Sequence, residues 1–148
     1  MGEMTTIWTL DIKLAGWRRG GADRWSARIE VPDSFTLTDL HDTIQQLVDF
    51  DDDHLHEFFA GRTWRDRKAT FGGAISPYEV NEDEEIPLSR VFPLPEGRRL
   101  FYNFDFGDDW LFEITRRPGT KQVAEKTTVA TIVSEKGRPP EQYPDEGD

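Results

Sequence analysis

From Ile7 to Leu14 apolar and polar positions alternate: Trp8, Leu10, Ile12 and Leu14 share one side, Thr9, Asp11 and Lys13 the other. A period of two marks a strand with one buried face. Trp25, Ala27, Ile29 and Val31 repeat the pattern, with Ser26, Arg28 and Glu30 opposite. Between them lies a glycine-rich basic stretch, 15–24, so the pair is predicted to form an antiparallel hairpin with a long tip. The period then changes. After Pro32-Asp33-Ser34, the residues Leu37, Leu40, Ile44, Leu47 and Val48 recur at helical spacing, with Asp39, Asp42, Gln45 and Gln46 on the other side. Thr36 is the predicted N-cap, and Asp39 sits in the first turn, where a carboxylate meets the positive end of the helix. The run Asp49 to Asp53 ends this helix.

His54 to Ala60 reads as the next strand, bounded by Gly61. Arg62 to Tyr78 reads as a long loop with a short strand, and Glu82 to Glu85 as a solvated acidic loop. Ile86 to Phe92 suits one short helical turn, and Pro93, Pro95 and Gly97 a chain reversal. Arg99 to Phe106 and Trp110 to Arg116 form a second predicted hairpin. Leu100, Tyr102, Phe104 and Phe106 line one face of its first strand, and Trp110, Phe112 and Ile114 one face of its second. Gly107 can supply the positive φ that a short hairpin loop needs. Thr127 to Val133 is β-branched and predicts a last strand. Pro139 to Pro144 is extended, and 145–148 a frayed tail. No internal repeat or linker interrupts the pattern, so residues 1–148 are read as one domain. The expected fold class is α+β: a mainly antiparallel sheet with one principal amphipathic helix packed on it, in a β-grasp-like arrangement.

Composition sharpens this picture. The apolar fraction is only 36%, but five Trp and ten Phe predict a core built from rings. There is no cysteine, which excludes disulfides, thiol catalysis and cysteine-based zinc sites. No run of about 18 apolar residues is present, and the N-terminus lacks a basic region followed by an apolar one. The expectation is therefore a cytoplasmic protein without a membrane span or signal peptide. The formal net charge of −11 repels nucleic-acid phosphates and anionic lipid. Nonspecific nucleic-acid binding is disfavoured, and a protein partner with a basic surface is the compatible class; acidity that mimics nucleic acid is a further option. Neither a G-x-S-x-G nor a phosphate-loop pattern occurs, and no cofactor is expected.

Three constellations can carry chemistry. The stretch Tyr102 to Trp110 places four aromatics and three carboxylates, Asp105, Asp108 and Asp109, around one glycine. Converging carboxylates can hold Mg²⁺ or Ca²⁺, or split their pKa values to act as acid and base. Aspartates beside a glycine also cap turns, which gives a structural reading of the same residues. His54 and His56 are two apart, so on a strand they share a face and could ligate Zn²⁺ or iron with a carboxylate. His41 lies near the apolar stripe of the helix and could join them; a surface pair plus one hydrogen-bonded helix histidine is the alternative. Trp17, Arg18 and Arg19, with Arg24 and Trp25, form a basic-aromatic hairpin tip, and Trp64 and Arg65, with Arg67 and Lys68, a second cluster. These are candidate contact loops for stacking or phosphate, or cation–π pairs within the protein.

Tyr102-Asn103-Phe104-Asp105-Phe106-Gly107-Asp108-Asp109-Trp110 resembles the hallmark Y-x-[FY]-D-[FY]-G-D-x-W of the plasmid pRiA4b ORF-3-like family. Leu40-His41 and Ile44, His54 to Phe58, Leu88 to Phe92 and Pro139-Pro140-Glu141 resemble further family segments in the same order. The resemblance implies a compact cytoplasmic α+β domain found in bacteria, archaea and mobile elements, and implies no activity. Two departures matter: Phe112 stands where relatives often carry histidine, and Glu141-Gln142-Tyr143-Pro144 where many carry cysteine and paired glycines. The leading functional expectation is a non-enzymatic binding or interaction module, an accessory protein of mobile-element origin. The alternative is a metal-dependent hydrolase using Asp105, Asp108 and Asp109.

Overall fold

The computed structural model describes residues 4–16, 25–65, 84–105 and 110–140, and the backbone of 69–75. Its elements are β1 (Thr5–Gly16), β2 (Ser26–Pro32), α1 (Leu37–Val48), β3 (His56–Gly61), β4 (Ala69–Ile75), α2 (Leu88–Val91), β5 (Arg99–Phe104), β6 (Trp110–Arg116), β7 (Lys121–Val123) and β8 (Thr131–Lys136). One sheet runs β4-β3-β5-β6-β1-β2-β8, with β7 paired to β1 beyond the end of β6. Every pairing among the described strands is antiparallel. This supports the coarser expectation, an antiparallel sheet carrying one principal helix, and lends none to the β-grasp-like detail.

The alternation read from sequence is the packing. In the first hairpin Trp8, Leu10 and Ile12 lie opposite Val31, Ile29 and Ala27, and all six are buried. In the second, Leu100, Tyr102 and Phe104 lie opposite Ile114, Phe112 and Trp110. These rings meet α1 and each other: Trp25 stands edge-on to Phe112 at 6.0 Å, and Phe50 packs on Trp110 at 5.1 Å. Edge-to-face contact is favoured because a positive ring edge meets a negative ring face.

Helix α1 begins at a complete capping box. Thr36 Oγ1 accepts from the Asp39 amide at 3.1 Å, and the Asp39 carboxylate accepts from the Thr36 amide at 3.0 Å. Leu37, Leu40, Ile44 and Val48 are buried against the sheet. Asp49 ends the helix in the left-handed region at φ 56 and donates its amide to the Gln45 and Gln46 carbonyls. The short α2 tucks Leu88 and Val91 into the same core, clipped to the start of α1 by Leu37 N–H to Ile86 O and Leu88 N–H to Phe35 O.

Several boundaries differ from expectation, each with a local cause. Strand β3 starts at His56 rather than His54, and Gly61 belongs to it. The chain before it is held out of the ladder by Asp52, at φ 51, whose amide donates to Gln45 Oε1. The last strand starts at Thr131 rather than Thr127, and a short β7 precedes it. The intervening stretch is tied to β1 instead, the Thr127 amide donating to Thr5 Oγ1. Gln45, expected on the polar side of α1, is buried, and so is Glu84 from the expected solvated acidic loop.

Candidate functional site

Beneath α1, where β3 and β5 run side by side, the core turns polar. His41 and Gln45 are four apart on α1 and project from one face, as that spacing requires. Both reach Tyr102 in the middle of β5. Gln45 Nε2 donates to the Tyr102 hydroxyl at 2.9 Å, and that hydroxyl lies 2.6 Å from His41 Nδ1. His41 Nε2 lies 2.9 Å from Asp52 Oδ1, and the Asp52 amide donates to Gln45 Oε1 at 3.0 Å.

These contacts close a ring, and the ring fixes its own protons. The Asp52 amide can only donate, so Gln45 presents its oxygen there and its NH₂ to Tyr102. Tyr102 then accepts from Gln45 and donates to His41 Nδ1. His41 therefore carries its hydrogen on Nε2 and donates it to the Asp52 carboxylate. Each link is satisfied with His41 neutral. Burial, followed by the neighbouring His56, pushes the His41 pKa down to about 3, so the neutral form holds at physiological pH. Burial drives the Tyr102 phenol well above its ordinary value. Asp52 is raised chiefly by burial, with Asp53 adding to it and His56 opposing.

A second buried pair stacks on the first. The His56 ring lies 3.8 Å from that of His41, with 13° between the planes. Its Nε2 lies 3.0 Å from Glu84 Oε1, and both side chains are almost wholly enclosed. His56 Nδ1 and Glu84 Oε2 are buried without a hydrogen-bond partner, an arrangement that is costly in a dry interior. Asp42, one residue along α1, is exposed beside this cluster. Its carboxyl is raised by burial first, then by repulsion from Asp52 and Asp39. His41, Asp42 and Asp52 each offer one donor atom, all within 4.8 Å of one another.

The residues singled out from sequence are distributed as follows. Tyr102 belongs to the ring. Trp110 is a core residue, opposite Phe104 and against Phe50. Asp105 is buried just beyond β5, at φ 60, its amide donating to Leu55 O at 2.9 Å. Aspartate tolerates that left-handed conformation better than most residues. Asp108, Asp109, Trp17, Arg18 and Arg19 lie outside the described residues. His54 and His56 do not share a face, because His54 precedes β3. Its Nε2 lies 3.5 Å from carboxylate oxygens of both Asp53 and Asp105, whereas His56 points into the core. Trp64 is exposed, with the Arg65 guanidinium 4.9 Å over its ring; Arg67 and Lys68 lie outside the described residues.

Gln45, Asp52 and Glu84 are the members that sequence reasoning missed. A signal existed: His41 and Gln45 flank the apolar stripe of α1 at a spacing of four, and two polar residues there ask for a buried partner. Nothing in the sequence names Glu84 as that of His56, 28 residues away.

On the same side of the sheet, a groove of about 320 Å³ runs between α1 and β8. Phe35, Leu47, Ala130 and Ile132 give it an apolar floor, and Asp39 and Asp42 an acidic rim. Val129, Ile132 and Val133 beside it are large apolar residues left exposed.

Fold and site define an open antiparallel sheet, one capped helix and a histidine–tyrosine–carboxylate network sealed between them. The sequence matches the family described as plasmid pRiA4b ORF-3-like protein over residues 7–146, and the chain belongs to that family. Among solved structures it is similar to the crystal structure of a protein of unknown function, MM3350 from Methanosarcina mazei Go1. The two share 25% identity with a TM-score of 0.65, over 91% of this chain and 71% of that one. No curated protein matches the chain. No helix among the described residues is long and apolar enough to cross a membrane.

Proposed function

We propose that this domain is a binding module that takes up an extended, basic and apolar segment of a partner protein along β8. The carrying observation is that all six residues of β8 are exposed, while β2 is its one strand partner among the described residues. A free strand edge offers a row of backbone donors and acceptors, and an added strand satisfies them. Exposed Ile132 and Val133 supply apolar contacts, and Asp39 and Asp42 on the groove rim select positive charge. A net charge of −11 steers a basic partner towards the domain and repels nucleic acid. The hydrogen-bonded ring holds α1, one wall of the groove, to the sheet. The plasmid-derived family name suits an accessory role in mobile elements, acting in the cytoplasm.

The test is fluorescence anisotropy with a labelled peptide alternating lysine and valine, against one alternating glutamate and valine. Saturable binding of the first, weakened by salt and by Asp39→Asn, is the expected result. Equal binding of both peptides, or of neither at low salt, refutes the reading. Sedimentation of the free protein as a dimer that Ile132→Lys dissociates would assign the edge to a second copy instead.

A further inference from the structure

We propose that His41, Asp42 and Asp52 form a binding site for a divalent first-row cation, with Zn²⁺ the best match to one imidazole nitrogen and two carboxylates. His41 Nε2 and Asp52 Oδ1 lie 2.9 Å apart. Two ligands each about 2.1 Å from one tetrahedral ion stand about 3.4 Å apart, so the pair has to open by about half an ångström to admit it. The Asp42 carboxylate lies within 4.8 Å of both donors, so a modest side-chain rotation brings it onto the same ion. The donor set is mixed, and mixed nitrogen and carboxylate ligands suit Zn²⁺ better than Mg²⁺ or Ca²⁺.

The electrostatics point the same way. Among the described residues, no lysine or arginine pairs with Asp39, Asp42 or Asp52, although each lies on or beside α1. Asp42 and Asp52 bear a repulsion that a cation would relieve, and only the neighbouring histidines are available to answer it. His41 is neutral, which is the form that ligates. It is enclosed at the base of the site, while Asp42 opens to solvent and leaves an entry path.

Binding has a definite consequence for the ring. The hydrogen on His41 Nε2 must leave that nitrogen, since the ion takes its lone pair. With the imidazole remaining neutral, the hydrogen moves to Nδ1, which then donates to Tyr102 instead of accepting from it. An outer partner on the second ring nitrogen is what a metal-bound histidine ordinarily has. One hydrogen bond is reversed, the His41 Nε2–H bond to Asp52 is lost and the Tyr102 O–H has no acceptor left within the ring, so the affinity falls below that of a closed four-ligand centre. The proposal shares Asp42 with the segment-binding reading but does not rest on it. His41 and Asp52 do not line the groove, and the ion is tested in the absence of any peptide.

The experiment is calorimetric titration of Zn²⁺ into the full chain after chelator treatment, with ¹⁵N-resolved NMR of the histidine rings. The expected result is one site whose affinity drops at least tenfold in Asp42→Asn and in Asp52→Asn, with His54→Ala unchanged. Asp42 is exposed, so that variant keeps the fold, which circular dichroism checks. His41 should change from the Nε2–H to the Nδ1–H tautomer on saturation. Absence of binding, an unaffected Asp42→Asn, loss of binding in His54→Ala, or an unchanged His41 tautomer would each overturn the proposal. Loss in His54→Ala would assign the ion to Asp53, His54 and Asp105 instead.

Discussion

His41 should make this protein acid-sensitive, and replacing it with glutamine should remove that sensitivity. The unfolded chain binds a proton at the ordinary histidine value of 6.5, whereas the folded protein resists until about 3. Because the folded pKa is depressed, nothing is lost above 6.5, where both states are neutral. Between 6.5 and about 3 only the unfolded state takes up the proton, so stability falls with falling pH. At pH 4.5 the loss from this one group is roughly 3 kcal/mol, from the ratio of protonation factors in the two states. Below about 3 both states are protonated and the loss levels off. Asp42 and Asp52 act oppositely: their raised values mean that protonation relieves a strain of the folded state as pH falls. They are present in both proteins and drop out of the difference. Glutamine can place an oxygen towards Tyr102 and an NH₂ towards Asp52, keeping the ring without a titrating group. Urea unfolding of both proteins at pH 8 and pH 4.5, in chelator-treated buffer, measures the double difference. Equal losses in the two proteins would refute the burial argument.

Thr36→Ala opens the capping box and should cost about 1 kcal/mol in the same urea assay. Phe104→Ala removes a fully buried ring packed beside Phe50 and opposite Trp110. A loss of roughly 3–5 kcal/mol is expected, with a thermal midpoint lowered to match. Asp11 is held below its ordinary pKa chiefly by the Arg28 hydrogen bond, against burial, with Arg117 assisting. Half-exposed ion pairs are screened, so Asp11→Asn should cost less than about 1 kcal/mol, shrinking further in 0.5 M salt.

The strands that were legible in the sequence are those with one wet and one dry face. Trp8 to Leu14 and Leu100 to Phe104 gave their pairing because a period of two has only one structural solution. Helix α1 was legible for the same reason, and its cap because Thr36 and Asp39 interact within four residues. The polar site was not legible, because its links are long-range: Tyr102 lies 61 residues from His41, and Glu84 lies 28 from His56. Local periodicity carries no information about which polar residue will be buried opposite which. It even misplaced Gln45, whose amide is buried only because Tyr102 and Asp52 stand ready to bond it. The edge position of β8 was equally hidden, since exposure on both faces follows from its place at the end of the sheet.

The hallmark segment can now be divided by physical role. Phe104 and Trp110 face each other across β5 and β6 and fill the core. Tyr102 holds α1 to the sheet through His41 and Gln45. Asp105 ends its strand in a left-handed turn. Each of these tasks concerns folding, and Phe106, Gly107, Asp108 and Asp109 lie outside the described residues. Two features that folding does not require stand out among the described residues: an outer edge of β8 without a strand partner, and carboxylates along α1 that no lysine or arginine neutralises. A surface that repels itself costs stability, and positive charge brought by a ligand recovers it. Cation or basic segment, whatever binds should therefore stabilise the protein more at low ionic strength than at high, where the acidic edge is already screened.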